Sequence, residues 1–182
     1  MSKLRFSTAQ QIIDAFPVLK EEFSSLELEA PPIEFIKSLM EGGQVRPALA
    51  LCAFMLPRRE AVGWLCQSLR KHGGEFNTKD VKLLDLAEDW HRAPAEKYRL
   101  AAMQAALSSG FRTAPSWAAA AAGWTGGSMT ENADLPIPPP PHMTGQAVKI
   151  GHIVAFWGKV AKGREAKVSD VVANAIALAL AD

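Results

Sequence analysis

The sequence has little of three things: cysteine, net charge and long apolar runs. Its only two cysteines, Cys52 and Cys66, lie within apolar helical patterns. We therefore expect buried reduced thiols rather than a disulfide or a catalytic pair. The 20 basic and 19 acidic residues leave a net charge of +1. This balance argues against a broad nucleic-acid-binding surface, because such surfaces carry a basic excess that displaces counterions from phosphates.

No stretch approaches the ~20 uninterrupted apolar residues that a membrane span requires. The nearest candidate, residues 147–161, is interrupted by Lys149, His152 and Lys159. The first residues, MSKLRFSTAQQIIDAF, contain no apolar run of signal-peptide length. We therefore expect a soluble cytoplasmic protein that does not insert into a membrane.

The histidines are also spaced in a way that disfavours a metal site. Neither cysteine stands at a ligand spacing from a histidine, and there is no HExxH or paired CxxC motif. The four histidines are His72, His91, His142 and His152. We expect no bound metal and no cofactor.

The group closest to a catalytic constellation is Glu88, Asp89, His91 and Arg92. On a helix, Glu88 shares a face with His91 and pairs with Arg92 at i+4. This arrangement is typical of an ordinary solvated helix face. No catalytic residues are assigned, although the sequence leaves an enzymatic function open.

What the chain does have is helical periodicity. Apolar residues recur at i, i+3 and i+4 along nearly every segment, and none alternates as a strand would. The run Ala48–Leu56 is apolar on every side, which predicts a buried central helix. The sequence therefore predicts an all-α fold of eight or nine helices in a single compact domain over residues 1–182.

Arg58 and Arg59 directly follow Pro57 at a predicted helix N-terminus, where the helix dipole disfavours cations. One explanation is pairing with Glu60 or with a carboxylate of a neighbouring helix. The other is contact with a partner molecule, since Arg and Trp are common interface hot spots. Arg58, Arg59 and Trp64 are the candidate partner-binding residues.

The most unusual segment is residues 136–141, which we call the proline segment; five of its six residues are prolines. Prolines impose stiff polyproline II structure at ~3.1 Å per residue. We predict an ordered strap on the domain's own surface, leading from the Trp124 helix to a helix capped by Thr144. Its predicted anchors are Leu135 and Ile137, packed on Trp117 and Trp124. The alternative is an exposed PxxP ligand offered to a partner.

Three blocks together resemble a family of uncharacterised bacterial proteins known only as a domain of unknown function. They read PPIEFIKSLMEGGQVRPALALCAFMLPRREAVGWLCQSL, EDWHRAPAEKYRLAAMQAALSSGFRTAPSWAAAAAGWTGGS and LPIPPPPHMTGQAV. The resemblance covers roughly Pro31 to Val160 and implies an accessory role in type VI secretion modules, in effector loading or delivery. It carries no catalytic residues. Gly63 departs from the pattern, which has a bulky aromatic residue beside Trp64.

The leading hypothesis is a non-enzymatic adaptor or chaperone-like protein that binds another protein, such as a secretion effector or delivery component. One alternative is an enzymatic or ligand-binding domain with a pocket between helices, using His91 or Arg58 as its polar group. Another is an immunity protein that neutralises a toxin. A stable protein partner on co-purification favours the first or third hypothesis, and a retained small molecule favours the second.

Overall fold

The computed structural model describes residues 5–23, 28–130, 132, 134–158 and 163–181. Within these ranges all regular structure is helical, which confirms the all-α prediction. There are ten α-helices rather than eight or nine, together with a 3₁₀ turn at Pro17–Leu19 that leads into a one-turn helix. The helices are α1 (Ala9–Ala15), α2 (Lys20–Phe23), α3 (Pro32–Glu41), α4 (Val45–Met55), α5 (Arg58–His72), α6 (Thr78–Arg92), α7 (Glu96–Ser109), α8 (Ala114–Gly123), α9 (Met143–Trp157) and α10 (Arg164–Leu180).

The chain divides into two compact units. Unit 1 comprises residues 1–57 and 161–182, and unit 2 comprises residues 58–160. The single domain over residues 1–182 stays a prediction, and each unit is described by itself.

Unit 1 contains α1–α4 and α10, and within it α4 packs against α1, α3 and α10. Every residue from Ala48 to Leu56 is buried, as the apolar run predicts. On α10 the buried residues follow the i, i+3, i+4 pattern of the sequence: Val168, Val171, Val172, Ala175 and Ala179. The buried stripe of α10 and the buried run of α4 form the core of this unit together with apolar residues of α1, the 3₁₀ turn, α2 and α3: Ile12, Ile13, Leu19, Phe23, Phe35, Ile36 and Leu39.

Unit 2 is built around α8, which packs against α5, α6, α7 and α9. The five alanines Ala118–Ala122 are all fully buried. Their small side chains allow four helices to approach α8 closely. The N-terminus of α8 has a capping box, in which Thr113 and Ser116 each bind the other's backbone N–H.

Both cysteines are free and buried. Burial raises the pKa of both thiols well above the ordinary value, so neither has thiolate character at neutral pH. The prediction of buried thiols is confirmed. Among the described helices, none is long and apolar enough to cross a membrane.

Candidate functional site

The two arginines that begin α5 each bind the C-terminal end of another helix in unit 2. Arg58 donates from Nη1 to the carbonyl of Thr125 at 2.8 Å, just beyond α8. Arg59 donates from Nε to the carbonyl of His91 at 2.8 Å and from Nη2 to that of Arg92 at 3.2 Å, at the end of α6. The last carbonyls of a helix lack intrahelical partners and favour a cation. These bonds explain why two cations stand at the start of α5.

Both arginines are thus bonded within the protein to backbone carbonyls, whereas the explanation offered by the sequence named carboxylates as the partners. Contact of Arg58 or Arg59 with another protein stays a prediction.

Three consecutive carbonyls at the end of α8 receive side-chain donors from three different helices. Arg99 of α7 donates from Nη1 to Gly123 at 2.7 Å, Thr144 of α9 donates to Trp124 at 3.0 Å, and Arg58 binds Thr125. Thr144 was expected to cap α9, but α9 begins at Met143, so its hydroxyl is free to bind α8. These three bonds therefore fix the position of the backbone at which the loop after α8 begins.

Arg99 is the functional side chain that sequence reasoning missed. It is buried, and it also donates to the carbonyl of Ser128 at 3.3 Å. Glu96 orients it through bonds of 2.7 and 2.5 Å, and the guanidinium lowers the pKa of that carboxyl. Gly127 has a φ of +66°, and a Cβ there would lie 2.5 Å from Arg99 Nη2. The paired glycines of the GGS sequence were the available signal for this close approach.

We call residues 128–141 the display loop. Its described residues, 128–130, 132 and 134–141, are joined to one another by hydrogen bonds. The N–H of Met129 donates to the carbonyl of Ile137 at 2.7 Å, and the N–H of Ile137 donates to Ser128 Oγ at 3.0 Å. Thr130 Oγ1 donates to the carbonyl of Leu135 at 2.8 Å. Arg58 Nη2 binds the carbonyl of Pro141 at 3.5 Å, so the far end is also bonded to α5.

Three large apolar side chains of the display loop face solvent: Met129 is 46% exposed, Leu135 62% and Ile137 46%. Within the proline segment, the buried residue is Pro139. The structure thus places the predicted anchors Leu135 and Ile137 on the surface and turns Pro139 inward instead. The strap itself stays a prediction.

The indoles of Trp117 and Trp124, the predicted platform for Leu135 and Ile137, both contact Phe111. Ring centroids are 5.4 Å apart for Phe111 and Trp117, and 5.7 Å for Phe111 and Trp124. The two indoles lie 6.4 Å from each other. Phe111 has a φ of +55°, which is unusual for a residue other than glycine. This aromatic cluster joins the two ends of α8.

Trp64 lies in the core of unit 2 with 0% of its surface exposed. Its ring centroid is 4.1 Å from that of His152, which in turn stacks on Phe156 at 6.2 Å. A direct contact between the Trp64 indole and a partner would therefore require this core to open. The apolar α5 pattern that places Trp64 on a buried face was the sequence signal for this position.

The structure explains why this chain has glycine at position 63. A Cβ at this position would lie 2.4 Å from Cε1 of His91, so the imidazole occupies the space of a side chain. His91 Nδ1 lies 3.1 Å from the carbonyl of Arg59 and donates to it. Because Arg59 donates to the carbonyl of His91 in return, α5 and α6 are joined in both directions at this point.

Unit 2 also contains a cleft of about 390 Å³, but neither Arg58 nor His91 lines it. Its polar lining residues are Glu75, Asp80, Arg112 and Thr113. Asp80 accepts hydrogen bonds from Thr113 Oγ1 at 2.6 Å and from Asn77 Nδ2 at 3.0 Å. Asp80 therefore joins the N-terminal ends of α6 and α8.

The comparisons with known proteins agree with the coarse resemblance of the sequence. The model of DUF6931, a family of unknown function, matches residues 35–179 and so includes most of α10, beyond the expected limit of Val160. A search of curated proteins and a search of solved structures each gave no match. Since the family model covers most of the sequence, the chain belongs to DUF6931.

Proposed function

We propose that this protein is a non-enzymatic adaptor or chaperone-like accessory protein that binds another protein through its display loop. The observation that carries the proposal is the exposure of Met129, Leu135 and Ile137 on one short loop. Single exposed apolar residues are ordinary, but a group of them marks an interaction surface.

The display loop is also suited to binding because its conformation is fixed in advance. Hydrogen bonds within the loop hold Met129 and Ile137 in register, and Arg99 and Arg58 hold its two ends. A loop that is already ordered loses little conformational entropy on association. The exposed side chains are thereby presented to a partner at low entropic cost.

The polar groups that the sequence offered for chemistry have structural roles in this fold. Arg58 and Arg59 bind helix-end carbonyls, and His91 bonds to α5. These roles favour a binding function over an enzymatic one. The resemblance supports a type VI secretion module as the setting, with a secretion effector or a delivery component as the partner.

Affinity capture from the native host tests the proposal. The bait is the full chain, compared with the double variant Leu135→Ser/Ile137→Ser. Leu107→Ser is the matched control, because Leu107 is 56% exposed on α7. We expect the wild type and the control to retain the same protein and the double variant to lose it, with melting temperatures unchanged.

Equal recovery of the partner by the folded double variant would refute the display loop as the binding surface. A toxin as the captured protein would instead favour the immunity hypothesis. A small-ligand function has one supporting observation, the cleft of about 390 Å³ with both acidic and basic lining residues. Native mass spectrometry of the purified protein tests it, through a retained low-molecular-mass species.

A further inference from the structure

We infer that residues 136–140 form a polyproline II ligand, displayed on the surface of unit 2, for an aromatic-lined groove of the partner protein. This inference rests on the proposed function and specifies how the partner recognises the display loop.

The backbone of this segment is restricted by its own sequence. The proline ring fixes φ near −65°, and a residue that precedes proline is pushed out of the helical region towards extended or polyproline II structure. Leu135 and the four residues 137–140 each precede a proline. Leu135 lies at a bend and Pro141 in a turn, while residues 136–140 lie in neither helix nor turn. At ~3.1 Å per residue, these five residues span roughly 15 Å.

Polyproline II has three residues per turn, so residues three apart lie on one ridge. One ridge contains Pro136 and Pro139, of which Pro139 is buried and Pro136 is exposed. The residues of the other two ridges are all exposed: Pro138 on one, and Ile137 and Pro140 on the other, with Leu135 and Pro141 exposed at the two ends. The fold therefore covers Pro139 and leaves the other residues of the segment facing outward. Grooves lined by aromatic side chains bind such apolar ridges.

The hydrogen-bonding chemistry of the segment defines the partner further. Prolines have no N–H, and the carbonyls of Leu135, Ile137, Pro140 and Pro141 already accept hydrogen bonds within the protein. The exposed residues Pro136 and Pro138 offer carbonyl acceptors, for which the groove must supply donors. Tryptophan and tyrosine combine a flat apolar ring with one such donor, which fits both requirements. The exposed carboxylate of Asp134 lies two residues before the segment, so a basic residue at that end of the groove adds attraction.

The test uses the protein captured by the wild-type chain, purified and titrated calorimetrically. The informative variant is Pro138→Gly/Pro140→Gly, which keeps Leu135 and Ile137 but removes the restriction on the backbone. Pro94→Gly is the matched control, because Pro94 is exposed in the loop between α6 and α7. We expect at least a tenfold loss of affinity for the double variant and no change for the control.

A second measurement does not depend on folding of the variant. A synthetic peptide of residues 134–142 should displace the full chain from the partner, and the same peptide with glycine at positions 138 and 140 should not. Binding of the folded double glycine variant within threefold of wild type, or equal displacement by the two peptides, would overturn the inference and leave the proposed function standing. Failure of the wild-type chain to retain any protein would overturn the proposed function itself.

Discussion

Acidification should destabilise this protein in part through His152. The imidazole is fully buried between Trp64 and Phe156. Its Nδ1 donates to the carbonyl of Val148 at 2.9 Å, and its Nε2 has no hydrogen-bond partner among the described residues. Burial lowers the pKa of His152 from 6.5 to about 4, because a charged ring in this apolar core is poorly solvated.

The sign of the effect follows from proton binding. The unfolded chain takes up a proton at His152 near pH 6.5, whereas the folded chain takes it up only near pH 4. The stability due to the neutral ring is therefore fully present above pH 6.5 and is lost progressively between pH 6.5 and 4. A pKa difference of this size corresponds to about 3 kcal/mol in the free energy of unfolding, at ~1.4 kcal/mol per pKa unit.

The assay is urea unfolding of the wild type and of His152→Leu at a series of pH values from 4 to 8. Leucine has a similar volume and does not titrate, so the comparison removes the contribution of the carboxylates. The variant loses the bond to Val148 and also loses the unpaired Nε2, and both changes shift its stability by a constant amount. We expect the wild type to lose about 3 kcal/mol relative to the variant across this range. A difference between the two proteins that stays the same at pH 4.5 and pH 7.5 would refute this account of burial.

Two glycine substitutions test the close approaches that organise unit 2. Gly127→Ala should cost about 1–3 kcal/mol in urea unfolding, because its φ is +66° and the added Cβ would meet a buried guanidinium. Gly126→Ala is the matched control, since nothing lies within 4 Å of a Cβ there, and a cost for both substitutions alike would contradict the argument. Gly63→Ala should cost a similar ~1–3 kcal/mol by displacing the His91 ring, and it should alter the imidazole resonances in NMR spectra. An unchanged His91 environment would show that this contact does not restrict position 63.

The helices and the core were predictable because their signal is local. Apolar spacing along α10 corresponds to its buried stripe, and the uninterrupted apolar run of α4 corresponds to the buried residues from Ala48 to Met55. The same local logic identified the glycines and prolines around the display loop. It does not identify which residue of the proline segment turns inward, because this depends on the surface beneath it. The exposure of Leu135 and Ile137 depends on these contacts between residues distant in sequence, which local patterns do not show.

The roles of the arginines lay beyond local reasoning for the same reason. A cation at a helix N-terminus signals a conflict with the helix dipole but does not name the group that compensates for it. For Arg58 and Arg59 that group is the C-terminal end of a different helix, distant in sequence. Arg99 gave no such signal, because its bond to Glu96 looks like an ordinary surface pair at i, i+3. Arg99 is buried because the end of α8 lies beside α7, and the sequence alone does not show this contact.

The hydrogen bonds that stabilise the C-terminal end of α8 also hold the start of the display loop. Arg99, Thr144 and Arg58 bind three successive carbonyls there, and each bond stabilises the helix end by opposing its negative dipole or by satisfying an unpaired acceptor. Because the display loop leaves α8 at this point, the same bonds set the direction in which the loop begins. Arg58 also binds Pro141, where the proline segment ends, so one side chain is bonded near both ends of the loop. Thus, the interactions that hold α5, α7 and α9 onto α8 also fix where the display loop begins, and Arg58 bonds its far end at Pro141.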